Sequence, residues 1–162
     1  MDGVDIMIKE EILRQLETFD EEELQAALQA ANAVRKTKNE GLYFLHHFLQ
    51  QDRVESEPQH FGVSIPVTNL VMNPLQMAHG GVIAWLADNA MGFASFMEKG
   101  RPGVTLDLNV RYHKSGKGKQ LNAVGVVVSS GALFNSMKTE VRDETGVLVA
   151  TASGTFYHRQ TK

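Results

Sequence analysis

The sequence of 162 residues contains no cysteine. This absence excludes disulfide bonds, thiolate metal sites and a cysteine nucleophile, and it fits a reducing compartment. A dominant charge is also lacking, because 16 Lys and Arg stand against 19 Asp and Glu and leave a net charge of -3. A protein that binds nucleic acid would carry a basic excess instead. We therefore expect a cytoplasmic protein that does not bind nucleic acid.

Long hydrophobic runs are scarce as well. The acidic N-terminal segment has no apolar stretch of the kind that a signal peptide contains. The only candidate membrane span, residues 82–97, is shorter than the roughly 20 residues that cross a bilayer and has Asp88 near its centre. We interpret it as a buried helix of a globular protein, and we expect no membrane partner.

The N-terminal segment, residues 4–52, has a spacing of apolar residues that predicts helices. Asp20 and Glu23 fit a capping box at the start of the second helix, and residues 42–49 suggest a third. Residues 1–52 carry 11 Asp and Glu against 5 Lys and Arg, so they do not resemble a DNA-binding head. We predict an N-terminal helical extension (1–52) that serves packing or oligomer contact, followed by a second domain (53–162).

Strands are predicted in the second domain, where apolar and polar residues alternate. The candidate strands are residues 60–67, 104–112, 120–129, 135–142 and 147–157. Short turns between the last three indicate an antiparallel meander. Strict alternation in 104–112 predicts that Thr105, Asp107 and Asn109 share one face. A buried helix inserted early in an antiparallel sheet is an α+β arrangement.

The start and the middle of the buried helix indicate a functional site. Gly80 and Gly81 at its start let another group approach the backbone, and the amides of a helix N-terminus attract negative charge. Asp88 lies within the apolar run, where a carboxylate needs a partner, a water-filled site or a raised pKa.

Asn73, the segment His79-Gly80-Gly81 and Asp88 occur in this order, followed by residues 103–109 and then 143–150. Together these segments resemble the hotdog-fold acyl-CoA thioesterases of the phenylacetate-degradation type, over roughly residues 53–157. The resemblance implies an antiparallel sheet wrapped around a central helix at about residues 79–98. It also implies a homodimer or homotetramer. One departure is Gln76-Met77-Ala78, where the family often has glycine two or three residues before the histidine, and it implies a different turn ahead of the helix.

The resemblance implies roles for five residues. Asp88 corresponds to the catalytic carboxylate, acting as base on water or as nucleophile, and Gly80 to the helix N-terminal amide that binds the thioester oxygen. Asn73 would orient the water or the nucleophile, His79 would support the site near the thioester, and Thr105 would lie near the attacking water. The implied activity is hydrolysis of acyl-CoA to a free acid and CoA, with no metal or separate cofactor.

Purely structural roles remain open for the same residues. Asp88 has the alternative of a buried structural carboxylate that Asn89 or Thr105 caps. Gly80 and its neighbour have the alternative of permitting close helix–sheet packing. His79 could simply be a histidine at the helix N-terminus without a chemical role. Thr105 could simply lie on an exposed strand face.

The spacing of Gly80 and Asp88 has a geometric consequence for a shared substrate. Eight residues at 1.5 Å per residue place them about 12 Å apart along the helix axis. Asp88 therefore cannot reach a carbonyl held at the N-terminus of its own helix. We predict a dimer in which Asn73, His79 and Gly80 of one chain act with Asp88 and Thr105 of the other.

A run of basic residues begins at the end of the second predicted strand and is a candidate contact for the phosphates of coenzyme A. Its candidate ligands are Arg111, Lys114 and Lys117. The alternative is a solvated loop without a ligand.

Two other functions compete with thioester hydrolysis. A hotdog dehydratase acting on acyl-carrier-protein substrates would use differently placed His and acidic residues. A non-catalytic acyl-CoA binding or sensing protein would have a basic N-terminal head and no carboxylate in the helix, whereas here the head is acidic and Asp88 is present.

Overall fold

The chain forms two compact units, Met1–Phe48 and Leu49–Lys162, in a computed structural model. The structure describes residues 3–41, 43–57 and 60–159. Residue 42, which belongs to the predicted third helix, lies outside the described residues. The domain boundary expected between residues 52 and 53 stays a prediction.

The first unit consists of the helices α1 (Gly3–Leu16), α2 (Glu21–Glu40) and α3 (Phe44–Phe48). The predicted capping box opens α2: the Glu23 amide donates to Asp20 Oδ1 at 2.9 Å, and the Asp20 amide donates to Glu23 Oε2 at 2.9 Å. Gly41 ends the helix with a φ of 73°, a left-handed conformation that glycine adopts without strain. The helical extension and its capping box are confirmed.

The second unit is built on one six-stranded antiparallel sheet with the order β1-β2-β4-β5-β6-β3. The strands are β1 (Asp52–Val54), β2 (His60–Pro66), β3 (Val104–Tyr112), β4 (Gln120–Ser130), β5 (Phe134–Asp143) and β6 (Leu148–Tyr157). The long helix α4 (Gly80–Lys99) is inserted between β2 and β3. The predicted α+β class and the central helix are therefore confirmed.

Helix α4 packs across the sheet because its inward side is apolar and small. Leu86 and Met91 are fully buried, and each such side chain contributes about 1.5–3 kcal/mol through burial. Gly125 of β4 lets the strand approach the helix closely, because a Cβ there would lie 2.1 Å from the Ala90 carbonyl oxygen. None of the described helices combines the length and the hydropathy of a bilayer-crossing segment.

Strand β3 contains a β-bulge that the strict alternation of its sequence does not predict. Thr105 pairs with Phe156, but Asp107 pairs with the next residue, Thr155, so Leu106 is the extra residue. Residues paired directly across two strands point to the same face of a sheet. Thr105 therefore shares the face of Phe156, whereas Asp107 points to the opposite face.

The bulge makes the predicted face of Thr105 wrong. The Phe156 ring lies 3.4 Å from the position that a Cβ of Gly92 in α4 would take, so its face is the one against the helix. Thr105 consequently points towards α4 instead of sharing a face with Asp107 and Asn109. Thr105 therefore lies close to the middle of α4.

Candidate active site

Helix α4 is preceded by a tight turn that Asn73 organises. The Asn73 side chain accepts a hydrogen bond from the Leu75 amide at 2.9 Å, and the Asn73 amide donates to the Met77 carbonyl at 2.8 Å. Gln76 has a φ of 55°, in the left-handed region that favours glycine and costs other residues roughly 1–2 kcal/mol. The turn thus has a left-handed residue at a position where the resembling family often has glycine.

His79 caps the N-terminus of α4. Its Nδ1 atom accepts a hydrogen bond from the Gly81 amide at 3.0 Å, so the proton of a neutral imidazole lies on Nε2. The amides of residues 82 and 83 donate to the His79 carbonyl. Within the described part of the chain, the Gly80 amide is left without an acceptor. It is an available donor at the positive end of the helix.

Tyr112, at the end of β3, holds the first peptide of α4 in place. Its hydroxyl donates to the Gly80 carbonyl at 2.7 Å. The same peptide group donates its N–H, on Gly81, to His79. Because both ends of this peptide are bound, the orientation of the neighbouring Gly80 amide is restricted. Sequence reasoning does not single out Tyr112; its only signal is an aromatic residue that closes an alternating strand.

A cavity of about 350 Å³ opens beside this helix N-terminus. Its lining includes Asn73, Gly80, Tyr112, His113 and Lys114. The structure therefore brings together three of the predicted features: the turn at Asn73, the helix N-terminus at Gly80 and the candidate phosphate ligand Lys114. Neither Asp88 nor Thr105 belongs to this lining, and neither do the other candidate phosphate ligands, Arg111 and Lys117.

Asp88 and Thr105 form a second centre in the middle of α4. The Thr105 hydroxyl donates to Asp88 Oδ1 at 2.8 Å. Burial raises the pKa of Asp88 above its ordinary value, and the hydrogen bond from Thr105 opposes this rise. Asp88 is only partly buried. The arrangement suits a group that takes a proton or attacks a carbonyl carbon.

The basic residues divide between two faces of the protein. Arg111 pairs with Thr151 in the sheet and points away from Tyr112, its neighbour in β3, whereas Lys114 lies at the cavity.

Among residues 3–41, 43–57 and 60–159, no three His, Asp or Glu side chains are grouped as metal ligands would be.

The sheet wrapped around one long helix defines the hotdog fold. The Thioesterase superfamily profile matches residues 75–150, which contain the helix N-terminus, Asp88 and Thr105. The chain belongs to the thioesterase superfamily. Comparison with curated protein sequences gives no match.

Three solved structures are similar to this chain. The BH2602 protein from Bacillus halodurans, determined with CoA, has 32% identity and a TM-score of 0.80, over 91% of this chain and 97% of that one. The smu.793 protein from Streptococcus mutans, bound to acetyl CoA, has 30% identity and a TM-score of 0.63, over 69% and 90%. The PaaI protein from the phenylacetic acid degradation operon of E. coli has 20% identity and a TM-score of 0.69, over 83% and 98%. This last similarity concerns the fold.

The similarity to BH2602 also includes the N-terminal helices. The unit Leu49–Lys162 makes up about 70% of the chain, so a match over 91% must extend into the unit Met1–Phe48. The helical extension is therefore shared, at least in part, by that protein.

Proposed function

We propose that the protein is an acyl-CoA thioesterase that hydrolyses a thioester to a free acid and CoA. The observation that carries the proposal is the partly buried Asp88 carboxylate inside an apolar helix, held by the hydroxyl of Thr105. A carboxylate with a raised pKa in an otherwise apolar element is typical of a reacting group. Membership of the thioesterase superfamily and the CoA-bound relatives support the substrate class.

The two centres of the site supply complementary chemistry. The unpaired Gly80 amide donates to the thioester oxygen as negative charge develops on it, and one such donor is worth about 3 kcal/mol in comparable sites. In one route Asp88 removes a proton from the attacking water, the C–S bond breaks, and the departing CoA thiolate takes up that proton. In the other route Asp88 attacks the carbonyl carbon itself and expels the CoA thiolate, which leaves an anhydride that water then hydrolyses. Asn73 orients the water or the nucleophile, His79 supports the site near the thioester, and Thr105 holds the carboxylate near the attacking water.

The separation of the two centres supports a site shared between two chains. The cavity at Gly80 does not include Asp88, and the two residues lie about 12 Å apart along α4. Strand β3 ends the sheet and leaves Val104 and Leu106 60% and 57% exposed, so its edge is apolar and open. Such an edge is normally covered by another element.

A second copy of the chain covers this edge in our proposal. If two β3 strands pair in antiparallel fashion, the start of one strand lies beside the end of the other. Thr105, with Asp88, then approaches the partner chain at the end of β3 where Tyr112 holds Gly80. A homodimer, or a homotetramer built from two such dimers, would contain equivalent sites of this kind.

Coenzyme A would contact the basic end of the cavity. Lys114 lines it, and Arg111 and Lys117 lie in the same basic run, where ammonium and guanidinium groups suit phosphates. Within the superfamily, the pattern of Asn73, His79 and Asp88 favours the phenylacetate-degradation type. A cytoplasmic location remains a prediction of the sequence.

Release of free thiol from a panel of aryl, short-chain and long-chain acyl-CoA substrates tests the proposal. We expect hydrolysis by the wild type and a loss of at least about 100-fold in kcat for Asp88→Asn. Glu98→Gln is the matched control, because Glu98 is an exposed carboxylate on the same helix, and it should retain full activity. Tight acyl-CoA binding without hydrolysis would instead identify a non-catalytic acyl-CoA sensor.

A further inference from the structure

A second group of polar side chains lies in the core at the far end of α4. Ser95, Asn135 and His158 are each fully buried, and none belongs to the proposed site. Ser95 Oγ lies 2.8 Å from His158 Nε2, and Asn135 Nδ2 donates to Ser95 Oγ at 3.0 Å. His158 Nδ1 lies 3.2 Å from the Arg101 carbonyl oxygen. Buried polar groups connected in this way constrain the elements that carry them.

The partners determine where the protons lie. A carbonyl oxygen only accepts, so the proton of the neutral His158 ring lies on Nδ1 and is donated to Arg101. Nε2 is then an acceptor and receives the Ser95 hydroxyl proton. The Ser95 oxygen in turn accepts from the Asn135 amide. Each hydrogen bond in this series donates towards the next group. The series runs from β5 to α4, then to His158 after β6, and ends at the turn before β3.

The same histidine shapes the turn that leads into β3. A Cβ at Gly103 would lie 2.6 Å from His158 Cε1, so the imidazole packs directly on the backbone there. The His158 amide donates to the Leu133 carbonyl at 2.8 Å, which fixes the histidine from the other side. The turn residues 101 and 103 are therefore held against the core by one ring.

Thr105 follows this turn directly and precedes the bulge. Only the first two residues of β3, 104 and 105, pair with β6 before the register shifts at Leu106. The position of these two residues therefore depends on the turn more than the positions of the residues in the regular part of the strand pairing do. Ser95, seven residues or two turns after Asp88, lies on nearly the same side of α4 as Asp88. The polar chain thus joins the helix that carries Asp88 to the strand end that carries Thr105.

We propose that Ser95 and His158 are positioning residues for the Asp88–Thr105 pair. They touch neither substrate nor reacting atoms; they fix the distance between α4 and the start of β3, so that the Thr105 hydroxyl reaches the carboxylate. The effect of Ser95 and His158 on catalysis rests on the proposed thioesterase function. Their effect on the pKa of Asp88 does not rest on it, so the two effects are measured separately.

Kinetics of Ser95→Ala provide the first test. The substitution removes the hydroxyl that joins Asn135 to His158, and we expect kcat to fall about tenfold with KM within about twofold. Thr139→Val is the matched control: Thr139 is also buried in the core, and its hydroxyl donates to the Val124 carbonyl at 2.8 Å within the sheet. It should lose stability to a similar degree but keep kcat. Ser95→Thr retains the hydroxyl and should restore most of kcat.

Nuclear magnetic resonance gives readouts that do not require hydrolysis. The ring nitrogen shifts of His158 in the wild type should report the proton on Nδ1, a measurement that needs no variant. The carboxyl-carbon titration of Asp88 should move to higher pH in Ser95→Ala, because a displaced Thr105 no longer lowers the pKa of Asp88. In Thr139→Val it should not move.

The outcomes separate this proposal from the proposed function. A wild type that hydrolyses no thioester, combined with a shifted Asp88 titration in Ser95→Ala, would contradict the function and support the positioning role. Unchanged kcat and an unchanged Asp88 titration in Ser95→Ala would overturn the positioning role. A His158 proton on Nε2 in the wild type would overturn it as well.

Discussion

Asp88 is expected to make the native protein less stable at neutral pH than a neutral residue would. Burial raises the pKa of Asp88 despite the hydrogen bond from Thr105, so removal from water outweighs that bond. Asp88→Asn removes the charge but keeps an oxygen that accepts from the Thr105 hydroxyl. The substitution should therefore stabilise the fold while abolishing hydrolysis, a compromise typical of catalytic sites.

The direction of the pH dependence follows from proton linkage. An acid whose pKa is higher in the folded state binds its proton more tightly there than in the unfolded state. The contribution of protonated Asp88 to the free energy of unfolding is favourable below the ordinary Asp pKa of 3.8. It is lost as the pH rises through the raised pKa of the folded state. Above this raised pKa the wild type carries the full penalty of the ionised, partly buried carboxylate. A gain of about 1 kcal/mol for Asp88→Asn is in the range that relieved active-site strain gives.

Urea unfolding of the wild type and Asp88→Asn between pH 4 and 8 measures this difference. Both proteins must be compared at one concentration, because the stability of an oligomer depends on it. We expect the free energies of unfolding to converge towards pH 4 and to separate by about 1 kcal/mol at pH 7 and above. A variant that is equally stable or less stable than the wild type at pH 7 would refute the argument that burial destabilises the charge.

Three further substitutions test the geometry of the site and the core. Thr105→Val removes the hydroxyl that lowers the pKa of Asp88, so the acid limb of the pH–kcat profile should move to higher pH. Tyr112→Phe loses the hydrogen bond to the first helical carbonyl, and kcat should fall about two- to tenfold without a change in the melting temperature beyond a few degrees. Gly125→Ala places a Cβ 2.1 Å from a helix carbonyl oxygen and should destabilise the protein by about 3 kcal/mol or more in urea unfolding. Gly131→Ala, with 3.4 Å to the nearest atom, should cost much less.

Periodicity predicts most of the fold because long elements repeat their pattern several times. The apolar run from residue 82 predicts α4, and alternation predicts the five longer strands to within a residue or two. The capping box at Asp20 is predicted because it depends on contacts three residues apart. Strand β1 has only three residues, too few to show a period, and sequence patterns do not reveal it.

Features that depend on distant contacts are beyond sequence patterns. The bulge at Leu106 changes the face of Thr105, but alternation in the sequence continues unbroken across it. Tyr112 contacts Gly80 from 32 residues away, and Ser95 meets His158 from 63 residues away. The catalytic roles of the five candidate residues come from the resemblance to a family and stay predictions, whereas these supporting contacts require the folded chain.

Mixed dimers test the central claim that one site uses two chains. The Asp88→Asn chain retains an intact Gly80, and the Gly80→Val chain retains an intact Asp88. The valine disturbs the helix N-terminus, because a Cβ at position 80 would lie 3.2 Å from the Tyr112 hydroxyl oxygen. Each variant alone should be inactive in thiol release. After subunit exchange, half of the dimers are mixed and each has one intact site, so the mixture should recover about a quarter of the wild-type activity per chain. Recovery of no activity, with exchange demonstrated by labelled subunits, would contradict a site shared between chains.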